Sequence, residues 1–236
     1  MSIALVLSTA FVTTAHDSPN RDVRIEQYRN GLEQVAALSR EHPALDVFSV
    51  DNTVEDAGGL DPEIAAAVGR IPGLKDTLWF WDNELGRKSR SAGSIIQWQR
   101  IAPRLARDYE YTVHYEPRLR LTSESFFDTV ERNPGAYFRS ETEAVRRHKS
   151  LWRFGFLSNR SRVFNFFPFF TGLFSLRTAD LEAYARSVDP AAMVEREECV
   201  EIGLYRFVRR RRIPYTLVST LGVLWNDAAA DNWVAY

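Results

Sequence analysis

The stretch YTVHYEPRLRL occupies residues 111–121, and its reading decides the fold. It opens as a short buried strand and stops at a Glu-Pro-Arg corner, where an acid and a base flank Pro117. In an ordinary sheet such a corner is turn chemistry. In an open α/β sheet the same place is where ligands sit. The segments around it decide between the two.

Upstream, residues 3–13 form a continuous apolar run ending in Thr13-Thr14, the pattern of a strand covered on both faces. Ser18-Pro19 reads as a helix start, and Ile25, Tyr28, Leu32 and Val35 make one stripe of an amphipathic helix. ALDVFSVDN (44–52) is a second strand ending in Asp51-Asn52, so the chain opens with a crossover unit that implies a parallel pair. A short helix over 61–71 and a third strand, DTLWFWDN (76–83), follow. The next helix carries Ile95, Trp98, Ile101 and Leu105 and is ended or kinked near Pro103. The strand at 111 is then the fourth. A parallel sheet gathers the ends Thr-Thr, Asp-Asn, Asp-Asn and His-Tyr-Glu at one edge.

Downstream, SESFFDTVERNPG reads as helix and turn, and GAYFRSE and LWRFGFLSNR as pieces of a small antiparallel element. FFTGLFSLRTADLEAYARSV predicts strand, turn and helix, with Thr178 or Asp180 near the helix start. One long helix is expected over 192–211 and a final strand over 213–225. The aromatic segment 163–174 reads as core, with a sugar or apolar acceptor contact as the alternative. The expected fold is α/β: a single domain over 1–236 with a mixed, mostly parallel sheet flanked by helices. Residues 1–121 make the first half of that domain and 122–236 the second.

Composition fits an ordinary globular domain, with 45% hydrophobic and 26% charged residues. Thirty basic and thirty-one acidic residues give a net charge of −1, which argues against a nucleic-acid partner. The single Cys199 cannot form an internal disulfide or a cysteine zinc site and fits a reducing, cytoplasmic setting. The apolar N-terminal run is too short to span a bilayer and lacks a basic n-region. A peripheral membrane contact stays open. The chain has no P-loop, no G-x-G-x-x-G after its first strand, no H-E-x-x-H and no G-x-S-x-G.

In the order of its strand ends the chain resembles the GT-A fold glycosyltransferases, which use nucleotide sugars. VFSVDN is similar to that family's second strand, whose closing Asp meets the nucleotide base, and WDNELGRKSRSAG to its Asn-x-Gly segment. HYEPR falls where the family has Asp-x-Asp, and EREECVEIGLYRFVRRRR is similar to its acidic helix. The resemblance implies a hexosyltransferase-like enzyme that moves a sugar from a nucleotide-sugar donor to a hydroxyl acceptor, in surface-polysaccharide or secondary-metabolite assembly. It implies donor contacts from Thr13, Asp51, Asn83, Arg87, Lys88 and Arg118, with His16 and Arg21 in a solvated loop. A Mg or Mn cation would fall to His114 and Glu116, two residues apart and so on one face of a strand. Hard cations prefer oxygen ligands, so this departure from two acids weakens the site. Arg118 would take over the cation's role, or else pair with Glu116 inside the protein. Glu201, Glu198 and Glu197 are the candidates for the base that takes the acceptor proton; they could equally load the helix dipole. The alternatives are a sugar nucleotidyltransferase, which would want a glycine-rich first loop that TTAHDSPNR lacks, and a degenerate binding protein.

Overall fold

A computed structural model describes residues 2–12, 21–140, 169–227 and 232–235. Thr13, His16 and the segment LWRFGFLSNR lie outside these residues, as does 163–168 of the aromatic stretch. A seven-stranded sheet runs in the order β3-β2-β1-β4-β7-β6-β8. Its strands are β1 (Ile3–Thr9), β2 (Leu45–Asp51), β3 (Leu74–Trp79), β4 (Tyr111–Tyr115), β6 (Tyr137–Phe138), β7 (Leu173–Arg177) and β8 (Thr216–Leu217). The first four are mutually parallel, and β7 is antiparallel to β4 and to β6. This is the α/β fold with a mixed, mostly parallel sheet that the sequence predicts.

Alternation along the strands explains why both faces are covered. Leu5 and Leu7 of β1 and Val113 and Tyr115 of β4 pack into one buried cluster with Tyr28, Leu32 and Val35 of α1 (Arg21–Glu41). Helices α2 (Pro62–Gly69) and α5 (Ser125–Arg132) complete that face. Ala4 and Val6 of β1 point the other way, toward Ile101 and Leu105 of α4 (Arg90–Leu105). Each such side chain taken fully from water is worth roughly 1.5–3 kcal/mol. A short helix, α3 (Glu84–Lys88), precedes α4. Helices α6 (Thr178–Ser187), α7 (Pro190–Glu195) and α8 (Val200–Arg211) pack beside α4 around Trp98, Phe174 and Leu204.

Several expectations are corrected. The helix predicted over 192–211 is two helices. The backbone of α7 turns left-handed at Glu197 (φ 51°), Glu197 N–H donates to Val194 O (3.2 Å) and Glu198 N–H to Met193 O (2.9 Å). These paired bonds close a helix in the Schellman manner, usually with glycine at the left-handed position. The strand predicted over 213–225 is also two pieces. Gly222 (φ 70°) separates β8 from β9 (Val223–Asp227), which joins β5 (Arg120–Leu121) and β10 (Asn232–Ala235) in a small antiparallel sheet. That sheet, rather than GAYFRSE, is the antiparallel element; GAYFRSE supplies β6 to the main sheet. Helix α4 does end near Pro103, at Leu105, as the sequence predicts. Phe169, Phe170, Leu173 and Phe174 are buried, the core reading of that part of the aromatic stretch.

Candidate functional site

The ends of β1, β2, β3 and β4 meet at one edge, together with the start of β7 and of helices α1 and α4. The Glu-Pro-Arg corner sits there and is held on three sides. Leu119 N–H donates to Glu116 O (2.9 Å), which closes a turn with Pro117 at its second position, a place proline favours. Glu116 N–H donates to Gly172 O (2.9 Å) and Tyr115 Oη donates to Leu119 O (2.6 Å). On the third side the Pro117 carbonyl presses on α1 at Gly31, where an added Cβ would lie 1.4 Å from its oxygen. Only glycine allows that approach.

Of the two readings of the acid and base, the internal pair is formed. Arg118 Nη2 and Nε lie 2.6 and 2.8 Å from Glu116 Oε2, with 21% and 19% of the two side chains exposed. Burial alone would raise the Glu116 carboxyl; the Arg118 guanidinium, with a smaller push from Arg90, holds it below the usual carboxylate range. Glu116 in turn raises Arg118, and Glu201 adds to that. Two further arginines face the same charges. Burial lowers the Arg24 guanidinium of α1, and the nearby cations Arg118 and Arg90 lower it further. Arg90 is the first residue of α4, whose N-terminus Ser89 caps by accepting from Ala92 N–H (3.4 Å). The cluster thus joins Arg24, Arg90 and Arg118 with the positive end of a sixteen-residue helix. Neither Arg24 nor Arg90 was singled out from the sequence. The signal was there, since each lies in the first turn of a helix that crosses between parallel strands.

The predicted site residues fall in different places. Asp51 is fully buried, and its carboxylate is saturated. Oδ2 accepts from Thr9 Oγ1 and Phe11 N–H, both at 2.9 Å, and Oδ1 from Thr53 N–H (2.7 Å) and Thr53 Oγ1 (2.5 Å). Burial raises its carboxyl and those donors offset part of the rise. Asp51 therefore ties the loops after β1 and β2 together through the four hydrogen bonds it accepts. Asn83 is buried against Gly86. Arg87 and Lys88 are exposed on α3, and the Arg87 guanidinium lies over the Trp81 ring, 5.3 Å from its centroid. Glu197 and Glu198 are exposed in the break before α8, not on a shared helical face with Glu201. Glu201, in the first turn of α8, is half-buried and accepts from Thr171 Oγ1 at 3.3 Å. Thr171 directly precedes Gly172, the residue bonded to the corner, so Glu201 reaches the same edge.

His114 and Glu116 do not fit a divalent cation. His114 is 1% exposed, accepts from Trp98 Nε1 at 3.1 Å through Nδ1 and stacks on Phe174. Burial pushes its imidazole down to about 4, so it stays neutral. Glu116 is engaged by Arg118, and among the described residues no group of three or more His, Cys, Asp or Glu gathers to hold a metal. Among the described residues, too, no helix is long and apolar enough to cross a membrane.

No protein-family model and no curated protein matches the chain. Solved structures similar to it include mouse xyloside xylosyltransferase 1 in its apo form, at 11% identity over 92% of this chain and 84% of that one, with a TM-score of 0.45. A candidate nucleotide-diphospho-sugar transferase from Desulfovibrio desulfuricans aligns at 11% identity over 92% and 80%, with a TM-score of 0.48. The CMP:2-keto-3-deoxy-manno-octonic acid synthetase complexed with CTP aligns at 12% identity over 94% and 92%, with a TM-score of 0.43. Likeness this distant assigns no role to any residue.

Proposed function

We propose that the chain is a nucleotide-sugar-dependent glycosyltransferase whose arginine cluster holds the donor diphosphate. The observation that carries the reading is that Arg90 and Arg118 both lie within electrostatic reach of Arg24 and of Glu116 at the carboxyl edge of the sheet, beside the N-terminus of α4. Guanidinium groups match phosphate oxygens in pairs of hydrogen bonds, and ligands of open α/β sheets bind at this edge. Glu116 orients Arg118 for that contact.

In the transfer, an acceptor hydroxyl attacks the anomeric carbon of the donor. The new glycosidic bond forms as the bond from that carbon to the diphosphate oxygen breaks. The nucleoside diphosphate leaves with the bonding electron pair, and the three arginines stabilise its added charge. Glu201 accepts the hydroxyl proton, with Thr171 Oγ1 orienting its carboxylate. Every one of these roles is carried by a side chain. Substituting Glu201→Gln keeps the shape and removes the base. Nucleoside diphosphate binding should persist in calorimetry while sugar transfer falls by 10²-fold or more, the scale of a lost general base. Unchanged turnover would remove Glu201 from the mechanism.

A further inference from the structure

We infer that Trp81 is the platform on which the donor's base stacks, and that the site therefore accepts nucleoside diphosphates with little regard to the base. This rests on the nucleotide reading above and deepens it. Trp81 is 48% exposed, a large aromatic side chain left open where most are buried. It stands just past β3 on a segment that continues the sheet edge: Phe80 N–H donates to Asp51 O and Asp82 N–H to Asn52 O, both at 3.1 Å. Phe80 packs toward the α4 side, among Phe48 and Ile101, while Trp79 packs toward the α1 side. By alternation Trp81 follows Trp79 to the side of α1, whose first turns carry Arg24. The Arg87 guanidinium lies over the indole, 5.3 Å from its centroid, in a cation–π contact that helps to hold the ring in place.

Position supplies the occupant. β3 and β4 are three strand spacings apart, about 14 Å, with β2 and β1 between them. A ligand touching both Trp81 and Arg118 must be apolar and flat at one end and anionic at the other, and long enough to cross that gap. A nucleoside diphosphate meets all three conditions; a lone phosphate or a monosaccharide does not. Among the described residues, the two polar side chains at the end of β2, between the two ends, have other tasks. Asp51 is saturated, and Asn52 donates to Asp82 O (2.9 Å) and accepts from Gln97 Nε2 (2.8 Å). With these base-reading groups engaged, stacking recognises the base, and stacking is tolerant because every base has a π-face.

The test titrates UDP, GDP, ADP and pyrophosphate by calorimetry in EDTA against the wild type, Trp81→Phe and Trp81→Ala. The three nucleotides should bind within about tenfold of one another, and Trp81→Ala should weaken all three by roughly 5- to 150-fold. Trp81→Phe should recover most of that loss, and pyrophosphate should be weak and indifferent to either change. Nucleotides that bind Trp81→Ala as tightly as wild type overturn the platform and leave the nucleotide reading standing. A preference for one base beyond a hundredfold overturns the tolerance. Wild type that binds none of the three nucleotides overturns the platform and the nucleotide reading together.

Discussion

Acid should unfold this protein partly through one residue, His114. Its imidazole is enclosed by Trp98 and Phe174 with its pKa lowered by burial to about 4, against 6.5 for a free histidine. Below pH 6.5 the unfolded chain binds a proton at this position that the folded chain refuses, so stability falls as pH falls, down to about pH 4. At 1.4 kcal/mol per pH unit, the penalty between pH 7.5 and pH 5 is about 2 kcal/mol. Glu116, held low by Arg118, loses its stabilising share only at more acid pH, and the buried Asp51 carboxyl, raised by burial, is common to both proteins compared below. The assay is urea unfolding of the wild type and His114→Gln at pH 7.5, 6.5, 5.5 and 5.0. The variant starts less stable, because Trp98 Nε1 loses its acceptor, but its stability should fall by about 2 kcal/mol less than that of the wild type across the series. Parallel pH curves for the two proteins would refute the reasoning, and with it the picture of a neutral structural histidine.

Other outcomes follow from single contacts. Gly31→Ala sets a methyl carbon 1.4 Å from the Pro117 oxygen, and should cost 3 kcal/mol or about that in urea unfolding while displacing the corner and weakening nucleotide binding. Gly69→Ala, at the end of α2 with nothing within 4 Å, is its control and should be neutral or stabilising by about 0.5 kcal/mol. Glu197→Gly relieves a left-handed backbone and should raise stability by roughly 0.5–1 kcal/mol; a loss would mean the α7–α8 break is held by the Glu197 side chain instead.

The parts of this structure visible in the sequence are those written as periodicity. β1, β2, α1 and α4 announce themselves by runs and stripes, and the polar residues that end the parallel strands point to one edge. What was hidden depends on contacts between distant segments. A left-handed glutamate carries no residue signature, so the stop after α7 was missed, and the first backbone N–H of α8, that of Val200, donates to the Ser91 side-chain Oγ, 109 residues earlier. Asp51 looks like a ligand-facing acid until Thr9, Phe11 and Thr53 fold around it. Gly31 gives no hint that Pro117 will lie against it. Arg24 and Arg90 sit in ordinary charged helix starts, and only the parallel sheet brings them to Arg118.

The central claim is that three arginines, rather than a bound cation, hold a nucleoside diphosphate at the sheet edge. Calorimetry with UDP and GDP in EDTA tests it directly, comparing the wild type with Arg24→Gln, Arg90→Gln and the Arg118→Gln variant. The account predicts binding that survives EDTA, weakens with added salt and drops at least tenfold with each substitution. Binding that requires a divalent ion, or that is indifferent to all three substitutions, would contradict it.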